Sequence, residues 1–277
     1  MTTTIWTWGP SVLAYTAILV AVVELARRRL RTHIALQALL LALALFGTPD
    51  TPRSGFQTAK LVSITVPCFF FSVVRLAFQR DERSVLRHLR RPWIYVLAYA
   101  AMQLNILEAV IADAQGGRYF NALTGLVLSA SVVTPFGTAA WRIETDTPKR
   151  DFLVALPRAW ILLLTTWNLA FVYAEYPRYL AHVSCVLMAP LVYALALGRP
   201  DLWVEARVYT LAMSVIVRWG GHDFVTPLMN SEGSWNPEAA RAWGLLNLLL
   251  AVCYVAYRTA RRRRGVPQAA PAATPGS

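Results

Sequence analysis

Residues 93–113, WIYVLAYAAMQLNILEAVIAD, carry no charge for fifteen positions before Glu108. As a helix the run is about 30 Å long, the thickness of a bilayer's hydrocarbon core. A membrane helix satisfies its backbone polar groups internally, so such a run reads as a span. Working outward, eight more apolar runs follow the same rule, near residues 10–26, 33–47, 58–78, 119–141, 154–175, 179–197, 203–219 and 239–258. The fold class expected is all-α, a polytopic transmembrane helical bundle of seven to nine spans, with nine preferred. The run at 33–47 is short, and the run at 203–219 carries Glu205, Arg207 and Arg218.

Composition agrees with that class. Of 277 residues, 56% are hydrophobic and only 15% charged, with no alternating strands of the kind a membrane barrel needs. The net charge of +12 does not point to nucleic acid, because the arginines sit in short segments between apolar runs. RRRLRTH (27–33), QRDERSVLRHLRR (79–91), RIETDTPKR (142–150), GRPDLWVEAR (198–207) and RTARRRR (258–264) are basic, and the intervening segments hold few positive charges. That alternation places the N-terminus outside and the C-terminus in the cytoplasm of a multi-pass cell-membrane protein. The first run ends in Glu24 and an arginine cluster and reads as a retained anchor. One helical domain is expected over 1–260, followed by a basic, then Pro/Ala-rich disordered tail over 261–277.

No metal or cofactor is expected. Cys68, Cys185 and Cys253 fall singly inside apolar runs, and no nucleotide-binding or zinc motif occurs.

The polar residues inside the spans therefore set the functional question. Asn105 and Glu108 are three apart and share one helical face, in the outer half of their span under the expected orientation. Asn168 and Glu175 are seven apart, on one stripe of another outward-running span. These four are the candidate catalytic residues, Glu108 as a protonated general acid oriented by Asn105. Trp167, Phe171 and Tyr173 flank Asn168 and are the candidate substrate-binding residues, since ring faces stabilise a cation. Asp113, Asn121, His182 and Glu238 read as cap or headgroup-level residues, with NPEAARAW (236–243) an ordinary helix start. Glu24 and Arg75 read as side chains that snorkel to the cytoplasmic surface.

Two resemblances attach to these residues. NILEAVIAD, WNLAFVYAEYP, EARVYTLAMSV and WNPEAARAWGLLNL resemble a family of bacterial multi-pass membrane proteins with a domain of unknown function, over most of the chain from the third span onward. NILE, and less directly VYAEYP, are similar to elements of the integral-membrane terpene cyclases of meroterpenoid pathways. Those cyclases carry a second acid in the last span, where this chain has Asn247, which leaves Glu175 or Asp223 as substitutes. The cyclase resemblance implies an isomerase-type enzyme acting on a lipid-soluble isoprenoid, with membrane lipids as its other partners. The alternative is a proton- or cation-coupled small-solute transporter using the same carboxylates.

Overall fold

The computed structural model describes residues 5–46, 55–79, 84–136, 139–219 and 228–264. Among the described residues the long helices that follow the apolar runs are α1 (Ile5–Arg28), α2 (Leu30–Phe46), α3 (Gly55–Gln79), α4 (Trp93–Gln115), α5 (Tyr119–Ser131), α6 (Arg158–Glu175), α7 (Leu180–Ala196), α8 (Trp203–Trp219) and α9 (Pro237–Arg263). The chain is an all-α bundle. Segments within α1, α4 and α9, and a segment that joins residues 177–179 to α7, are long and apolar enough to cross a membrane. Their outward faces are apolar too: Leu13 is 74% exposed, Leu104 68% and Leu249 56%. Water would penalise a surface of that kind, and lipid would not.

Consecutive helices alternate in direction. Arg27 at the end of α1, Arg75 near the end of α3, Tyr193 near the end of α7 and Glu205 at the start of α8 meet in one side-chain network. Arg258 of α9 reaches the Ser131 carbonyl at the end of α5 at 3.0 Å. The start of α6 is at this end as well, where the Trp160 indole N–H donates to Leu128 at 3.1 Å. At the opposite end, Arg118 between α4 and α5 pairs with Glu175 at the end of α6. There Tyr173 donates to the Ser234 carbonyl ahead of α9 at 2.8 Å. The basic segments therefore gather at one end, called here the basic end.

α9 starts as its sequence predicts, with Pro237 in the first turn and the Asn236 side chain accepting from the N–H groups of Glu238 (2.9 Å) and Ala239 (3.1 Å). It runs to Arg263, so helix continues into the segment expected to be disordered tail; residues 265–277 lie outside the described residues.

The expected span over 119–141 is corrected. α5 stops at Ser131, after about 20 Å. Pro135 disfavours helix in the residue before it, and Val132 is already extended. The chain then enters a buried hairpin, β1 (Trp141–Ile143) antiparallel to β2 (Phe152–Val154), with Arg142 opposite Leu153. Its edge N–H groups are satisfied by side chains: the Phe152 N–H donates to Glu205, and the Ile143 N–H to the Tyr95 hydroxyl at 3.3 Å. Just beyond it Arg199 pairs with Glu144 and Asp201, each at 3.0 Å. Burial alone would lower the Arg199 pKa, but those two carboxylates raise it above the ordinary arginine value.

Two groups of helices result. α1, α2, α3, α7 and α8 pack around α8, while α4, α5, α6 and α9 pack around α5 and α6. They join through α6 on α7 and through the hairpin against α8. α3 and α4 face each other across the remaining seam.

Candidate functional site

The seam holds a cavity of about 130 Å³. Its walls come from α3 (Ile64, Pro67, Cys68, Phe71), α4 (Ala98, Ala101, Met102, Asn105, Ile106), α6 (Leu164, Asn168) and α8 (Trp203, Val204, Arg207, Val208, Leu211). Local sequence explains why the helices do not close here. Pro67 interrupts the α3 hydrogen-bond ladder, and the facing α4 positions are the small Ala98 and Ala101.

Three side chains supply polarity. Asn168 anchors its amide by donating Nδ2 to the Leu164 carbonyl at 2.7 Å, which turns Oδ1 toward Arg207 Nη2 at 3.4 Å. The Arg207 guanidinium also stands over the Trp203 ring, 5.5 Å from its centroid. Asn105 forms the rim and is exposed on the outer surface. Trp203 is 1% exposed, and its indole N–H has no protein partner among the described residues.

The structure thus brings Asn105 and Asn168 together and adds Arg207, which the sequence reading did not select. Glu108 shares the Asn105 face, as its spacing requires, but that face is exposed and Glu108 does not line the cavity. Glu175 lies at the opposite end, half-buried and paired with Arg118. The aromatic trio is elsewhere as well. Trp167 is fully buried and donates to the Asn121 carbonyl at 2.8 Å. Phe171 packs on Tyr176, with centroids 6.1 Å apart, and Tyr173 lies against Trp243 at 5.9 Å. Asp223 lies outside the described residues.

Two buried charge clusters were read differently in the sequence. At the basic end Asp151, fully buried, accepts from Arg27 (Nη2 2.5 Å, Nε 3.1 Å) and from Arg75 Nη2 (3.0 Å). Arg75 continues to Glu205 at 2.8 Å and to the Tyr209 hydroxyl at 3.0 Å. Arg75 is fully buried and does not snorkel. Glu24 bonds Tyr193 and Arg28. The signal lay in a lone arginine deep in an apolar run and an acid in the first turn of α8, but the partner, Asp151, is 76 residues from Arg75.

At the other end Asp113, read as a cap, is fully buried between Arg118 Nε (2.8 Å) and Asn121 Nδ2 (2.6 Å). Burial lowers the Arg118 pKa, and its two carboxylate partners outweigh that and raise it. His182, read in the same way, is also buried, its Nε2 3.1 Å from the Ser214 hydroxyl.

A third polar group lies between α2 and α8. His33 packs edge-on against Tyr209, at 4.7 Å, and Gln37 follows one turn later. Both are buried, and their side-chain nitrogens and oxygen have no protein partner among the described residues. Among the described residues no cluster of three or more His, Cys, Asp or Glu side chains could hold a metal. No family model matches the chain, and neither a curated protein nor a solved structure is similar to it. These comparisons lend no support to either resemblance.

Proposed function

We propose that this chain is a multi-pass cell-membrane protein, N-terminus outside and C-terminus cytoplasmic. It takes a bilayer-soluble amphiphile head-first into the cavity between α3, α4, α6 and α8. The orientation rests on the gathering of the basic segments at one end of the bundle. The binding role rests on one observation, an apolar cavity whose polar groups converge while its rim residue, Asn105, is exposed on the outer face.

Size limits what the cavity does. At about 130 Å³ it is near the volume that holds a benzene ring, well short of the ~300 Å³ or more of a site that encloses a whole drug-sized ligand. A polar head and the first few carbons fit, and the rest of the chain lies in the bilayer. An isoprenoid belongs to that class of ligand, as do other single-chain lipids. Among the described residues the wall carries no carboxylic acid, and arginine holds its proton under all ordinary conditions, so this reading assigns recognition rather than protonation of an alkene.

Ala101→Phe puts a ring into the space. The variant should lose retention of a single-chain amphiphile by at least tenfold in native mass spectrometry from nanodiscs, with its melting temperature nearly unchanged. Undiminished retention would show that the ligand sits elsewhere.

A further inference from the structure

We propose that Arg207 is the carboxylate-binding residue of this cavity, so that the favoured ligand is the anion of a single-chain carboxylic acid. The inference rests on the cavity reading above and narrows it to a head group.

Four other buried or half-buried arginines are paired with carboxylates of the protein, while Arg258, half-buried between α9 and α5, bonds the Ser131 carbonyl and the Tyr254 hydroxyl instead. Arg27 and Arg75 share Asp151, Arg75 adds Glu205, Arg118 has Asp113 and Glu175, and Arg199 has Glu144 and Asp201. Arg207 differs from those four and, unlike Arg258, lines a cavity. It is half-buried in an apolar wall, and among the described residues no carboxylate pairs with it. Its contacts are one long bond to a neutral amide and the Trp203 face. A guanidinium has five N–H donors in a planar fork, so most of its hydrogen-bonding capacity is left for something else. A cation without a counter-ion in a low-dielectric seam is costly, and an anionic ligand removes that cost.

The shape of the site selects among anions. A single guanidinium balances one negative charge, and its fork matches a carboxylate's two oxygens. Among the described residues no second cation lines the cavity, so a diphosphate would bring charge that this wall does not neutralise. Trp203, whose buried N–H has no protein partner among the described residues, supplies an additional donor on the same wall. The small volume favours a compact head, and the lipid-facing rim lets one chain leave.

The test compares palmitic acid, hexadecanol and a palmitoyl lysophospholipid of the phosphodiester class on protein in neutral-lipid nanodiscs, at a pH where the acid is ionised. On the unmodified chain the acid should bind about tenfold or more tightly than the alcohol. Arg207→Gln should reduce that ratio to near one, while Arg207→Lys should keep part of it. Melting curves of both variants identify any loss due to misfolding; if Arg207→Gln does not fold, the ratio on Arg207→Lys and on the unmodified chain decides. Equal binding of acid and alcohol to the unmodified chain overturns the carboxylate assignment and leaves the cavity reading standing. Tighter binding of the lysophospholipid than of the acid also overturns it. If no single-chain ligand binds, the cavity reading itself fails.

Discussion

Asp151→Ala is expected to destabilise the folded bundle by about 3–5 kcal/mol, the scale for removing one partner of a buried ion pair. Among the described residues Asp151 alone forms salt bridges with both Arg27 and Arg75, and all three side chains are buried. Without it, Arg27 keeps Tyr193 at 2.6 Å and Arg75 keeps Glu205, but neither arginine keeps the full set of acceptors around which it is packed. The loss should spread, because the network ties α1, α3 and α8 to the hairpin through side chains that share partners. Asp151→Asn preserves the shape and one acceptor and should fall between the alanine variant and the unmodified chain. Asp146→Ala, at an exposed position of the same loop, should change little. Thermal or denaturant unfolding in detergent measures all three. An Asp151→Ala chain as stable as the unmodified one would mean that the arginines reach water.

Gly125→Ala is expected to cost about 1–3 kcal/mol despite adding one carbon. A Cβ at Gly125 would stand 2.5 Å from both the Trp167 ring and a Val110 methyl, closer than any packed carbon tolerates. Neither neighbour gives way easily. Trp167 is fully buried and fixed by its bond to the Asn121 carbonyl, and Val110 lies in the same core on α4. At this position α5 therefore lies close against both α4 and α6, a small-residue contact of the kind that membrane helices use for packing. Gly244, where the nearest atoms to an added Cβ are 3.5 Å away, should accept alanine with little change. Unfolding of the two variants side by side separates a general penalty for helical glycine replacement from the specific clash.

Much of the fold was legible because a bilayer imposes a strict rule on length and hydropathy. Each apolar run contains a helix among the described residues, and the basic segments between runs gather at one end. What failed was local. Thr134 and Pro135 lie inside the fifth apolar run, and average hydropathy concealed the helix stop that proline imposes. The candidate site was legible in part. Spacing placed Asn105 and Glu108 on one face correctly, but spacing cannot say whether a face meets protein or lipid. That depends on α5 and α6, whose packing buries Asp113 five residues further on and leaves Glu108 exposed. Arg207 was visible only as an awkward charge that weakened the eighth span. Its meaning needed the one fact that sequence does not hold, the absence of an acid beside it among the described residues.

The most direct test of the central claim is to map where a single-chain lipid with a photoactivatable diazirine near its carboxyl end attaches to the protein in nanodiscs. The adducts should fall on peptides covering residues 64–71, 98–106, 164–168 and 203–211, and excess unlabelled acid should remove them. Labelling spread over outward faces such as Leu246 and Leu249 of α9, undiminished by competitor, would contradict the account.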